Sequence, residues 1–282
     1  MTEKPLPPDN HVHTQWSWDT ATGDMEATCA EAVRLGLPSV AFTEHVDHTR
    51  WIVGAGAGVP AAWLRHGIDN GQLVPPPLDV EGYLASVEHC RGRFPQLRIL
   101  TGAELGEPHW HRDAVRSLLG SGAFTRVLAS LHSAYVDPLG GYVDTGQHYR
   151  HVPPEQVVGD YLLGLERLIT EYDDFQVLAH IDYPLRRWPA DVPFAPEAFE
   201  EQFRHVLALL RDAGKVLEVN TRVPLPRTIL AWWHEAGGEA ISFASDAHRP
   251  DLIARGFRDA VAMAESTGFR APADPLDFWI RA

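Results

Sequence analysis

Short apolar runs recur along the chain, and most end in polar residues of a narrow kind. "NHVH" (10–13), "SVAFT" (39–43), "RILTGA" (98–103), "RVLASL" (126–131), "FQVLA" (175–179), "VLEVN" (216–220) and "AISFA" (240–244) have strand length, and most are rich in Val, Ile or Phe. Helix-length segments separate them. Asp24 fits an N-cap, Met25–Leu35 a helix and Gly36 its C-terminal stop. Further helices are expected over Val80–Phe94, Pro154–Tyr172, Pro196–Ala213, Pro226–Glu235 and Ala254–Thr267. Strands alternating with helices in this way predict a parallel sheet of βα units, and periodicity does not decide whether it is open or closed.

One stretch breaks the alternation. Residues 50–80 are rich in Gly and Pro and too long for an ordinary connection, so a lid or binding loop is expected there. The GxGxG within it, 54–58, does not lead from a strand into a helix, which argues against a nucleotide-binding turn.

With 282 residues, 45% of them hydrophobic, the chain can build one large barrel or two small domains; a single domain over 1–282 is the expectation. Two cysteines, Cys29 and Cys90, are too few for a disulfide framework or a thiolate zinc site. No secretory leader and no membrane-length apolar run is read from the sequence, so the expected compartment is the cytoplasm. The net charge of −14 disfavours nucleic acid and anionic membranes as partners. Lysine occurs only at Lys4 and Lys215, which a compositional bias explains. The 15 histidines are more informative.

In parallel βα folds the C-terminal ends of the strands carry function. Here those ends hold His11 and His13, then Glu44 and His45, then Glu104, His132 and His180, and finally Asp246 and His248; the sixth run ends instead in Asn220 and Arg222. Any one of these histidines is more readily a satisfied polar or surface residue than a ligand. The set is harder to explain that way. Positions i and i+2 of a strand face the same side, so His11 and His13 can serve one pocket, and Asp246 and His248 repeat the spacing. Imidazoles and carboxylates without thiolates suit Zn²⁺, Mn²⁺ or Fe²⁺, and so many donors suit more than one ion.

These residues give the chain its resemblance to a known family. "HVHT" (11–14), "FTEH" (42–45), "GAE" (102–104), "SLHS" (130–133), "LAH" (178–180) and "SDAH" (245–248) together resemble the PHP (polymerase and histidinol phosphatase) family, in family order and over nearly the whole chain. "LEVNT" (217–221) and "SDAHRP" (245–250) look most like the monofunctional histidinol-phosphatase branch. The resemblance implies a distorted (β/α)7 barrel and a trinuclear site of two or three divalent ions at the strand ends. Its ligands would be His11, His13, Asp19, His45, Glu104, His132, His180, Asp246 and His248, with Glu104 bridging. One position departs: Asp19 stands where that branch often carries histidine, which makes an ion held by Asp19, His45 and His248 the least secure.

The implied activity is hydrolysis of a phosphate monoester, L-histidinol phosphate foremost, by a metal-bridging hydroxide. Three divalent ions and three carboxylates would leave the pocket at about +3, a field suited to a phosphate dianion despite the acidic surface. Glu104, Asp246 and His248 are the expected catalytic positions, with His248 or Asp47 conceivable as leaving-group acid. Asn220, Arg222, Arg249 and Trp16 are candidates for holding substrate, the arginines through fork-like contacts to phosphate; Arg186 and Arg187 are weaker ones, and Trp18 could also stack on a flat ring. Glu107 is expected to support the ligands, and His109 and His111 to lie at the surface or pocket edge. Three other readings stay open. One is a different small phosphate ester. A second is an amidohydrolase-type C–N hydrolase, for which Lys4 and Lys215 are poorly placed as a carboxylated bridge. The third is a non-enzymatic metal-dependent scaffold.

Overall fold

The computed structural model describes residues 5–53 and 59–282. The glycine-rich 54–58 motif and Lys4 lie outside them. Seven parallel strands form the central sheet: β1 (Asp9–Val12), β2 (Ser39–Val46), β3 (Arg98–Gly106), β4 (Arg126–Ser130), β5 (Val177–Leu178), β6 (Val216–Asn220) and β7 (Ala240–Ala244), hydrogen-bonded in that order from β1 to β7. A final antiparallel pair, β8 (Phe269–Arg270) and β9 (Trp279–Arg281), extends the sheet beyond β7.

The sheet curls into a barrel that closes only at its top. Past the end of β7 the chain returns to β1: the His13 amide donates to the Ala247 carbonyl (2.8 Å) and the Asp246 amide to the His11 carbonyl (2.9 Å). Lower down, the start of β7 pairs with β9 instead, Ala240 opposite Ile280 and Ile241 opposite Trp279. The expected distorted (β/α)7 barrel is therefore present, and the distortion is this split allegiance of β7. Asp9, fully buried, anchors the seam by accepting from the Ser245 amide (3.0 Å) and the Ala254 amide (2.9 Å). Burial pushes its carboxyl up to about 6.

Helices cover the outside: α1 (Met25–Leu35), α2 (Val80–Arg93), α3 (Arg112–Leu119), α4 (Pro154–Glu171), α5 (Glu200–Asp212), α6 (Arg227–Glu235) and α7 (Phe257–Ser266). The cap of α1 forms as expected, with Asp24 Oδ1 accepting from the Ala27 amide (2.8 Å) and Gly36 in the left-handed region at φ 73°. The inner face of α4 carries Val158, Leu162, Leu165 and Ile169 at helical spacing, all in the main core.

Several expectations needed correction. The fifth strand shrinks to two residues because the chain leaves the ladder at His180, where φ is 22°. Pro196–Phe199 is a 3-10 turn before α5, and α7 begins only after Ala254 and Gly256, both at positive φ. Region 50–80 is not bare loop. Trp51–Ile52, Ile68–Asp69 and Gln72–Leu73 join a hairpin, Ser133–Val136 and Gly141–Asp144, in a small second sheet above the barrel. Two-residue strands carry too little periodicity to be read beforehand. Among the described residues, no helix is long and apolar enough to cross a membrane.

Candidate metal centre

Glu104 organises the top of the barrel. It lies two residues before the end of the long strand β3, beside His45 on β2, and is fully buried. Five imidazoles surround its carboxylate. Ring nitrogens of His11, His13 and His45 lie 3.2, 3.4 and 3.0 Å from Oε2; those of His132 and His180 lie 3.1 and 2.7 Å from Oε1. An outer arm continues from His45. Asp19 Oδ2 is 3.5 Å from His45 Nε2 and 3.0 Å from His248 Nε2, while Asp246 Oδ1 is 3.5 Å from both His13 Nε2 and His248 Nδ1. All nine residues implied as ligands thus stand around one cavity or its mouth.

The donors fit cations better than they fit one another. His11 Nε2 faces His13 Nε2 at 3.0 Å, where only one can carry a proton. Glu104 Oε2, His45 Nδ1 and Asp19 Oδ1 are buried and make no hydrogen bond among the described residues, although Glu104 Oε2 and His45 Nδ1 are close to each other. Buried polar atoms left without partners are costly, and divalent ions between them would remove that cost. Three overlapping triads have ligand atoms within 4.8 Å of one another: His11, His13 and Asp246; His13, His45 and His248; His45, Glu104 and His132.

Behind the donors sits a layer that orients them. Glu218, on β6, accepts from or donates to His11 Nδ1 through Oε2 (2.8 Å) according to the proton's place, and its Oε1 accepts from the His180 amide (2.9 Å) and Asn220 Nδ2 (2.8 Å). Asp47 pairs with His132 Nδ1 (3.1 Å) and accepts from Trp18 Nε1 (2.8 Å). A Cβ at residue 106 would overlap Asp47 Oδ1, so glycine there lets Asp47 reach His132. Ser17 Oγ contacts His13 Nδ1 (3.0 Å) and donates to Glu44 (2.5 Å). Glu44 itself points away from the cavity, as strand alternation requires, and ties down Thr14 and Ser17. Glu107 holds the main chain of His132 and Ser133 through their amides (2.5 and 2.9 Å), the supporting place expected for it. Such partners fix the tautomer and angle of a metal-binding imidazole.

The backbone is strained where it turns into the site. Glu107, His180 and Asp246 hold φ of 45°, 22° and 52°, values rare for residues with a side chain. The hydrogen bonds closing the barrel pin Asp246 in place.

Proton affinities show how strongly the pocket attracts cations. Burial opposes ionisation of Glu104, yet His11, His45 and His132 outweigh it and hold its carboxyl well below the usual range. Asp246 is likewise held well below, with Arg186 and Arg222 overcoming burial. For His132 burial pulls downward, but Glu104 and Asp47 win and raise it to about 10. His180 is pushed down to about 4 by burial, aided by Arg186. Without bound ions, then, His132 would hold a proton where a metal ion would bind, while His180 would stay neutral.

Arg222 does reach the cavity, its guanidinium on Asp246 Oδ1 (3.1 Å) and 43% exposed. Arg186, ranked lower from the sequence, is also there, paired with Asp246 and set over the Tyr183 ring. Arg249 is a correction: its guanidinium lies in solvent on Asp251, because the chain turns outward into a 3-10 turn after His248. Asn220 is buried and already bonded to Glu218 and the Arg222 amide, so it braces the site from behind. Trp16 packs over Gly82 on α2, away from the cavity; Trp18 lines it instead, in a cluster with Trp51 and Trp63. His109 is buried rather than at the surface, and His111 caps α3 beside Thr49.

Glu218, Trp51 and Trp63 were not foreseen as functional. A carboxylate in the middle of the apolar strand "VLEVN" was the available signal for Glu218. Nothing local marks the two tryptophans, whose place depends on the second sheet.

Known proteins resemble this chain in sequence and in fold. The chain is 24% identical over 270 residues to the probable histidinol-phosphatase of Thermotoga maritima, covering 93% of this chain and 92% of the relative. It is 24% identical over 251 residues to the histidinol-phosphatase of Lactococcus lactis, covering 85% and 83%. Among solved structures, the L. lactis histidinol phosphate phosphatase, complexed with zinc, L-histidinol and phosphate, superposes with a TM-score of 0.79 at 20% identity, over 98% of this chain and 99% of that one. The putative histidinol phosphatase of Listeria monocytogenes gives 0.71 at 19% identity, over 89% and 99%. Residues 9–222 match the PHP domain, and with most of the chain inside that match, this protein belongs to the PHP domain family.

Proposed function

We propose that this chain is a metal-dependent phosphomonoesterase that hydrolyses L-histidinol phosphate to L-histidinol and phosphate. The observation that carries the reading is the convergence of five imidazoles on the buried Glu104 carboxylate, with partnerless donor atoms facing one another. The relatives' shared activity narrows the substrate.

His11, His13, Asp19, His45, Glu104, His132, His180, Asp246 and His248 would hold two or three divalent ions, zinc by the neighbour's example. Bound there, such ions supply a nucleophile from water at neutral pH and disperse the charge of the phosphoryl group.

The remaining work falls to the chain. Asp246 keeps the Arg186 and Arg222 guanidiniums at the cavity edge, where either can turn a two-pronged donor face to a phosphate oxygen. Of the two, Arg222 is the more exposed and the freer to swing. Asp47 restrains His132 and, through Trp18, fixes one wall of the cavity. Trp18, Trp51 and Trp63, with ring centroids 5.3–5.7 Å apart, offer flat apolar faces to an imidazole and keep water from that side. Trp51 and Trp63 thus cover the site, and the whole chain acts as one unit. His248, at the cavity mouth beside Asp19 and Arg222, would complete the outer arm of the ligand set.

The test is phosphate release by zinc- and manganese-loaded protein from L-histidinol phosphate and from a panel of sugar, nucleotide and aryl phosphates. The expected result is a kcat/KM for histidinol phosphate at least about a hundredfold above the panel. Equal, feeble rates on every ester would remove the assignment, and preference for another ester would keep the chemistry while replacing the substrate.

A further inference from the structure

A second cavity lies behind the metal centre, between the hairpin Ser133–Asp144 and α4. Its volume is about 810 Å³, against about 40 Å³ at the metal centre, and none of the nine candidate ligands lines it. Three features describe what it would accept.

The first is a partly exposed aromatic wall, its rings tilted by 37° between Trp110 and Tyr142 and by 72° between Tyr142 and Tyr135. Trp110, Tyr142 and Tyr135 follow one another with centroids 4.7 and 5.2 Å apart, and Trp110 and Tyr135 remain 38% and 50% exposed. Large rings left half in water at a cavity mouth are suited to stacking against another ring.

The second is a pair of buried imidazoles with bare nitrogens. His109 is 5% exposed and lines the cavity, and neither Nδ1 nor Nε2 has a hydrogen-bond partner among the described residues. Burial, with Arg112 and Arg167 nearby, pushes it down to about 4, so it is a neutral ring with an unused donor and an unused acceptor. His148, 4% exposed, has its Nε2 on Asp160 (3.0 Å) but its Nδ1 unpartnered.

The third is separated charge. Arg167, on α4, makes no ion pair among the described residues, and the Asp160 carboxylate, two turns earlier on that helix, is about half exposed. A cation and an anion on one cavity wall suit a ligand with opposite charges of its own.

We propose that this cavity binds a small zwitterion bearing a flat ring, an aromatic or heteroaromatic α-amino acid. Its carboxylate would meet Arg167 and His109, its ammonium Asp160, and its ring the Trp110 and Tyr142 faces. The site is independent of the phosphatase reading, since it uses none of the metal-centre residues.

Calorimetric titration of zinc-loaded protein, with saturating inorganic phosphate to occupy the metal centre, tests it. L-phenylalanine and L-tryptophan are the probes. Glycine controls for chelation of zinc, phenethylamine for the carboxylate, and methyl α-glucoside for a sugar. The expected result is one amino acid per chain with a Kd of about 1 mM or tighter, and glycine and phenethylamine weaker by at least about tenfold. Arg167→Ala and Trp110→Ala, both at exposed positions, should each weaken phenylalanine about tenfold while zinc content and phosphate release stay unchanged. The proposal is overturned if neither amino acid saturates the protein by about 10 mM, if glycine binds equally well, if both variants bind like the parent, or if the glucoside is preferred.

Discussion

The two ends of the barrel interior are built on different physics, although the same strands supply both. At the floor, Leu128, Val177 and Ala179 pack with Val216 and Phe278, and Arg126 closes the bottom with its guanidinium 4.0 Å from the Phe278 ring centre. At the top, the chain that carried Leu128 delivers His132 to Glu104 and Asp47. The floor is held by apolar burial, which has no direction and tolerates exchange at constant volume. The rim is held by directed polar contacts, where moving one atom changes the protonation and cation affinity of its neighbours. Damage to the floor should therefore cost stability and spare the chemistry, and damage to the rim should do the reverse.

The largest effect is expected at Glu104. Replacing it with Ala removes the group common to five imidazoles, and phosphate release should fall at least about a thousandfold with loss of bound metal. Elemental analysis beside the assay checks this, and a folded variant with full metal content and near-normal turnover would contradict it. On the floor, Leu128→Ala should cost about 2–5 kcal/mol of unfolding free energy in chemical denaturation, with zinc per folded molecule unchanged. Glu218→Gln tests whether support behind the donors behaves like the rim. It keeps the volume but weakens the grip on His11 and the His180 amide, so metal affinity should drop about 10–100-fold in a competition titration, with circular dichroism unaltered.

The smallest effect concerns pH. In ion-free protein His132 is raised to about 10, above the unfolded value near 6.5. Its protonated form therefore stabilises the fold fully below about pH 6.5, and this is lost as pH rises toward 10. Metal binding needs the same imidazole deprotonated and strengthens as pH rises. Both trends have one consequence: a chelator should lower Tm by more at pH 9 than at pH 6, by about 5 °C for a kilocalorie or two of difference. Equal shifts at the two values would show that the rim does not exchange protons for ions.

The donor set was legible because it sits where strand grammar puts it. His11 and His13, or Asp246 and His248, announce themselves by i, i+2 spacing after an apolar run. Arg186 and Arg249 show the opposite case. Both follow a strand-end histidine closely, yet one is turned into the cavity by the 3-10 segment Tyr183–Arg187 and the other is carried outward after His248. Trp16 and Trp18 share a loop and an i, i+2 spacing, but a loop lacks the fixed alternation of a strand, so spacing could not tell which one faces the site.

By itself, then, the order of residues determined the alternation of strands and helices, the chemical kind of the donors, and the end of the sheet at which they gather. These are local properties, set by side-chain period and by which residue follows each strand. Only the tertiary structure decided that β7 divides its edge between β9 and β1, that Glu218 stands behind His11, that three tryptophans wall the cavity, and that His109 is buried over a second one. Each of those joins segments far apart in the chain, and their pairing depends on how the whole barrel shares its buried volume, which no local window of sequence contains.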